Sequence, residues 1–237
     1  MYSSTIVDNK RLKNIMNTLT PPFNDINMNI TKNNIIIKGL TKNSDMLVDI
    51  NIGVENIICI PEKIRLCLNC VQLSKVLYLA NKDDTIQIRI PDNYYNDGIV
   101  SYVIIKINSG IFKLKTLELE ADELEIPSVH YNKPVIIFTD EYVKVMKSLN
   151  VMETYLTLEV LQNEVVFSTS NDNLEVLLTI PTISVDNDCY TGVFPFKTFK
   201  NFLKMGISSD SIELYTNPAL PLKTVYNSGS VFYVNFI

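Results

Sequence analysis

One succession of elements is written twice along this 237-residue chain: strand, helix, strands, helix, strands, first over residues 1–117 and again over 133–237. Repetition of a supersecondary order, with little identity between the copies, is the mark of a duplicated architecture. The helices are read from apolar side chains recurring at a period of 3.6. Leu12, Ile15, Met16 and Leu19 make such a stripe in residues 9–19, and Leu73, Val76, Leu77 and Ala80 in 71–81, where Val71 and Leu79 blur it. Tyr142, Val145, Met146 and Leu149 do so in 141–150, and Phe196, Phe199 and Leu203 in 195–205. Asn9 and the Thr139-Asp140 pair are suited to cap helices. Short β-branched runs fill the gaps: 25–30, 34–40, 46–52, 55–60, 64–68, 85–90, 99–107 and 111–117 in the first half. The second half gives 134–138, 154–160, 165–168, 174–180, 190–194, 211–215, 222–226 and 230–236. The expected class is α+β, two domains of antiparallel sheets with two helices each, over 1–117 and 133–237, joined by 118–132.

Charge is sorted along this pattern. The four helical stretches hold nine of the 21 basic residues, Lys10, Arg11, Lys13, Lys75, Lys144, Lys147, Lys197, Lys200 and Lys204, but one acid, Glu141. The rest of the chain carries 12 basic and 25 acidic residues. A polar helix face is ordinarily just solvated, but such a face mixes signs, because mixed charge gives i, i+4 pairs and avoids self-repulsion. Segregation on four helices calls for a compensating polyanion. Lysines three residues apart, without interleaved exposed aromatics, suit backbone phosphates rather than base stacking or base-edge readout. Binding of that kind is weak, salt-sensitive and indifferent to base sequence.

Catalytic chemistry finds little footing. The single histidine, His130, lies in the joint and lacks the positioned partner that acid–base catalysis needs. Cys67 and Cys70 spell CxxC, with no second pair or neighbouring histidine to complete a zinc site. No GxxxxGK[ST] or GxGxxG occurs among only seven glycines. The expectation is a non-enzyme without metal or cofactor. Four cysteines in or beside apolar runs suit buried thiols in a reducing, intracellular compartment. No run reaches the roughly 20 apolar residues of a membrane span, and the N-terminus lacks the pattern of a secretory signal. Richness in Asn, Ile and Lys points to an AT-rich genome, such as that of a large DNA virus or a parasite.

The joint, LELEADELEIPSVHYN over 117–132, is acidic and carries Pro127. Leu124, Ile126 and Pro127 stand among five acids. They pin the linker to a domain, or they form an edge where a partner peptide docks.

The stretch LELEADELEIPSVHYNKPVIIFTDEYVKVMKSL (117–149) resembles the interdomain connecting loop, first strand and first helix of the second domain in clamps of the proliferating cell nuclear antigen type. NCVQLSKVLYLANKDDTIQIRI (69–90) is similar to the family's second helix and following strand, and FKNFLKMG (199–206) with SDSIELYTNPALPLKTVY to its fourth helix and a strand pair. The collinear order of these segments covers nearly the whole chain. The resemblance implies two tandem DNA-clamp domains and a ring of three subunits, expected to be a homotrimer. It implies a processivity factor that encircles duplex DNA and tethers a polymerase and other replication and repair proteins, in a nucleus or at a viral replication site.

The resemblance also implies roles. Lys13, Lys75 and Lys147 match positions where clamps present basic residues to the hole, and Lys10, Lys144, Lys197, Lys200 and Lys204 share those faces. Tyr78 and Thr20 stand where relatives often carry lysine. Short clamp-binding peptides would seat an apolar plug on Leu40, Leu47, Leu124, Ile126, Pro127, Pro221 and Tyr233. A histidine common in the family's central loop is replaced near Ser44, and the sequence stops at Ile237 without the family's longer tail. Strand 111–117 of one subunit would pair with 174–180 of the next. The alternatives are a subunit of a heterotrimeric checkpoint clamp, a clamp-fold viral transcription factor, and a structural interaction protein with solvated lysines.

Overall fold

The computed structural model describes residues 2–31, 33–58, 63–81, 83–91, 95–96, 99–118, 124, 126, 129–149, 155–184, 187–202, 209–226 and 230–234. Two compact units divide the chain: Met1–Gly39 with Asp49–Glu125, and Leu40–Val48 with Ile126–Ile237.

Along the N-terminal half of the chain, β1 (Tyr2–Val7) precedes α1 (Asn9–Leu19), and β2 (Asp25–Ile30), β3 (Asn34–Leu40), β4 (Met46–Gly53), β5 (Glu55–Ile58) and β6 (Ile64–Asn69) lead into α2 (Cys70–Tyr78). Then come β7 (Ile86–Pro91), β8 (Tyr95–Asn96), β9 (Ile99–Val100), β10 (Tyr102–Ile107) and β11 (Gly110–Lys115). One sheet runs in the order β11-β10-β7-β1-β5, and the strands β4-β3-β2-β6-β9-β8 are neighbours in that order. The pairings are antiparallel apart from a parallel bridge of β6 with β9. Period-2 sequence becomes period-2 burial: Ile26, Met28 and Ile30 are buried, as are Met46, Val48, Ile50 and Ile52.

Both helices differ at their ends from the sequence expectation. Asp8, not Asn9, caps α1, its carboxylate accepting the Arg11 amide at 3.2 Å. Asn9 is instead the first helical residue, and its side-chain amide donates to the Asn81 carbonyl. Asn69 caps α2 by accepting the Gln72 amide at 3.0 Å, which starts the helix at Cys70. At the other end the Leu79 and Ala80 amides donate to the Val76 and Leu77 carbonyls at 3.2 and 3.1 Å. These i to i−3 bonds tighten the last turn, so α2 closes at Tyr78.

In the second unit, β12 (Val135–Phe138) leads into α3 (Thr139–Leu149), followed by β13 (Tyr155–Val160), β14 (Glu164–Ser170), β15 (Glu175–Pro181) and β16 (Tyr190–Pro195). After α4 (Phe196–Phe202) come β17 (Ser211–Tyr215), β18 (Leu222–Tyr226) and β19 (Ser230–Val234). One sheet runs β15-β14-β13-β16, and β12, β17, β18 and β19 are neighbours in that order. Every one of these pairings is antiparallel. The α3 stripe is buried, with Tyr142 edge-on to Phe167 at 6.0 Å, and Phe199 of α4 packs on Phe194 at 5.5 Å. Leu203, expected in the α4 stripe, lies outside the described residues.

Strand 99–107, read from sequence as one run, is broken at Ser101, whose carbonyl accepts the Thr116 amide at 3.1 Å. The strand before the first helix is paired on both sides, by β5 and β7. Among the described residues no helix is long and apolar enough to cross a membrane.

Candidate nucleic-acid interface

Side chains tie α1 and α2 side by side. The Asn9 amide reaches the Asn81 carbonyl, the Lys13 ammonium the Ala80 carbonyl, and Thr20 and Ser74 share a hydroxyl–hydroxyl bond of 2.6 Å. The contacts descend along α2 as they climb α1, so the helices are antiparallel. Burying Leu12, Ile15, Met16 and Leu19 on one side of α1 leaves Lys10 and Asn17 exposed on the other. On α2, burial of Cys70, Leu73 and Leu77 turns Val71, Lys75 and Tyr78 outward.

The expected cations do not all end in solvent. Lys10 and Lys75 are exposed. Lys13 is half-buried, with its ammonium on the Ala80 carbonyl at the closing turn of α2, where the helix dipole is negative. Arg11 is half-buried and donates to the Asn51 carbonyl at 2.8 Å. Burial lowers its pKa, against the pull of Asp8.

The second unit has the more exposed lysines. Lys144 and Lys147 of α3, and Lys197 and Lys200 of α4, are all exposed. Lys204 lies outside the described residues. The charge on α3 needs correcting, because the helix begins at Thr139 and so takes both Asp140 and Glu141 into its first turn. It therefore carries two acids and two lysines. Lys144 is paired with Glu141 at 2.6 Å, and that bond raises its pKa, with a further contribution from Asp140. The acids sit at the positive end of the helix dipole, which explains their presence there.

Of the residues expected to receive a peptide, Leu40 is exposed, and Leu47, Leu124, Ile126 and Pro221 are half-buried. Pro127 lies outside the described residues, as does the Tyr233 side chain. The 41–46 segment is a turn, with the Thr41 amide on the Met46 carbonyl at 2.9 Å and Ser44 at φ 56°. A cluster missed in the sequence adjoins Pro221. Tyr131 donates to the Pro221 carbonyl at 2.8 Å and meets Tyr215 edge-on at 6.0 Å. Lys223 lies 4.7 Å from the Tyr215 ring centre and 5.7 Å from that of Tyr131. The only signal in the sequence is a tyrosine where the acidic linker ends.

Elsewhere the chemistry is sparse. His130 is exposed. Cys67 and Cys70 are buried, and burial pushes the Cys70 thiol up to about 12, with help from Asp25 and Cys67. Cys189, expected to be buried, is exposed, because it falls just before β16 begins at Tyr190. Cys59 lies outside the described residues. Among the described residues no group of three or more His, Cys, Asp or Glu could hold a metal ion.

The sequence profile described as "Proliferating cell nuclear antigen, N-terminal domain" matches residues 1–125, more than half of the chain. The chain belongs to the proliferating cell nuclear antigen family. It is 22% identical to the antigen of Dictyostelium discoideum over 100% of this chain and 97% of the relative. Identity to that of Chaetomium thermophilum is also 22%, over 95% of this chain and 92% of the relative. The solved antigen of Entamoeba histolytica superposes with a TM-score of 0.87 at 19% identity, covering 99% of this chain and 98% of that one. A PCNA2–PCNA3 complex from Sulfolobus tokodaii gives 0.85 at 15% identity, over 100% of this chain and 99% of that one. The fold is thus two tandem clamp domains, and the chain is a sliding clamp of a family of non-enzymatic scaffolds.

Proposed function

We propose that the chain closes into a trimeric ring around duplex DNA and that its helices face the phosphate backbone. The observation that carries this is that six of the basic side chains on the helices, Lys10, Lys75, Lys144, Lys147, Lys197 and Lys200, are exposed, away from the buried stripes. Arg11 ties the first helix to β4 and Lys13 ties it to the end of the second helix, rather than reaching for phosphate. Each lysine–phosphate contact is weak and blind to sequence, so encirclement provides the hold and the weak contacts permit sliding.

The clamp domains span 1–117 and 133–237, with 118–132 connecting them. A division between Glu125 and Ile126 supports that reading. Subunits join through β11 and β15, each the terminal strand of its sheet. Both carry exposed apolar side chains, Ile111 at 69% and Leu177 at 60%, on edges that ring closure would cover. Partner proteins, a DNA polymerase among them, dock a short peptide on Leu40, Leu47, Leu124, Ile126, Pro127, Pro221 and Tyr233. Such tethering gives the partner a high effective concentration at DNA, in the nucleus.

Retention on DNA tests the reading. Clamp loaded on a closed circle resists high salt and is lost when the circle is cut; equal retention on circular and linear DNA overturns encirclement. The second reading is a ring shared with paralogues, favoured by the likeness to a PCNA2–PCNA3 complex. Light scattering separates the two, since a chain that trimerises alone needs no paralogue.

A further inference from the structure

We infer that Tyr78 is a non-ionic DNA contact, its hydroxyl donating to a backbone phosphate and its ring lying against the adjoining sugar. The inference rests on the DNA reading above and specifies the chemistry by which the first unit holds the duplex.

Tyr78 is 84% exposed, the most exposed of the described large apolar side chains. It follows Val71 and Lys75 at i, i+4 and i+7, so the three form one outward stripe along α2. The core side of the helix is already filled by Cys70, Leu73 and Leu77, and Tyr78 adds nothing to it. A single exposed apolar side chain is unremarkable. This one differs in its surroundings. In a chain of 26 acids, α1 and α2 hold none. Their face is cationic, and an anion complements it better than an apolar partner does.

That face is also short of cations. Two of its four basic side chains are spent inside the unit, Lys13 on the Ala80 carbonyl and Arg11 on the Asn51 carbonyl. Lys10 and Lys75 remain exposed. Across the seam, Thr20 and Ser74 bond to each other. Tyrosine hydroxyls are regular phosphate donors, and they release no counterion. Tyr78 therefore supplies affinity on this helix pair without salt dependence, and Lys75, one turn earlier on the same stripe, supplies the ionic share.

Binding of the assembled clamp to a short duplex, titrated across salt concentrations, tests this. Tyr78→Phe is expected to weaken binding about two- to tenfold, the loss of one hydrogen bond, with the salt slope unchanged. Tyr78→Lys is expected to steepen the slope by about 0.9 for each subunit engaged. Lys75→Gln and Lys200→Gln should flatten it by about the same amount. If the two lysine variants flatten the slope while both Tyr78 variants behave as wild type, Tyr78 is no DNA contact and the lysine interface stands. If the Tyr78 and the lysine variants all leave binding unchanged, the DNA reading of these helices fails with it.

Discussion

Lys144 and Lys147 lie on one face of α3, three residues apart and equally conspicuous in the sequence, yet the structure makes them unequal. Lys144 is held by Glu141 at 2.6 Å, whereas Lys147 makes no ion pair with a described residue. A phosphate approaching Lys144 must displace a carboxylate already there, so fewer counterions are released on binding. Each full phosphate contact steepens the salt dependence by about 0.9, which between 50 and 200 mM salt is about a 3.5-fold loss of affinity. Lys147→Gln should remove that whole increment, and Lys144→Gln clearly less. Glu141→Gln should steepen the slope by freeing Lys144, and in that background Lys144→Gln should cost as much as Lys147→Gln. The assay is fluorescence anisotropy of a labelled duplex with assembled clamp, with light scattering to confirm that the variants still assemble. Equal slopes for the two lysine variants, together with a silent Glu141→Gln, would refute the reasoning.

Three further outcomes follow from the packing. Burial raises the Asp49 carboxyl above its usual range, only partly offset by Lys38, so its protonated form is favoured by folding; that contribution is present at acid pH and lost as pH rises through the raised value. Asp49→Asn should therefore raise the melting temperature at pH 7, with the gain shrinking as pH falls toward 4; a lower melting temperature at pH 7 contradicts this. A methyl group at Gly192 would clash with the Tyr190 hydroxyl and meet the Phe194 ring at 3.0 Å, so Gly192→Ala should cost about 1–3 kcal/mol in urea unfolding, and no loss would mean that the Tyr190 ring swings away freely. Tyr131→Phe removes the bond to the Pro221 carbonyl and should weaken a clamp-binding peptide by about two- to tenfold in calorimetry while leaving DNA binding unchanged; unaltered peptide affinity would separate this cluster from the peptide site.

What the sequence made legible follows from the range of each interaction. Stripes such as Leu12-Ile15-Met16-Leu19 and Tyr142-Val145-Met146-Leu149 are local, and all eight side chains are buried. Strands 25–30, 34–40, 211–215 and 222–226 were readable in full because period-2 burial is local as well. Helix ends were less legible, since Asp8 and Asn69 compete with neighbours that look equally suited to cap. The start of α3 mattered most, because taking in Asp140 beside Glu141 makes that helix neutral rather than basic. The fate of a lysine is not local at all. Lys13 finds the Ala80 carbonyl across 67 residues, and nothing near Lys13 announces that α2 will close there. The Tyr131–Pro221 bond joins residues 90 apart and was equally hidden. The exposed aromatic Tyr78 was visible as a residue, but its isolation from the core became clear only once α2 had a buried side.

The account stands on helices that line a hole wide enough for duplex DNA. Electron microscopy of the purified particle tests that most directly. The account predicts closed rings with an open centre, in which electron-dense clusters attached through Lys147→Cys, in a chain whose exposed Cys189 is replaced by serine, mark the inner rim. Particles without a central opening, or labels on the outer circumference, would contradict it.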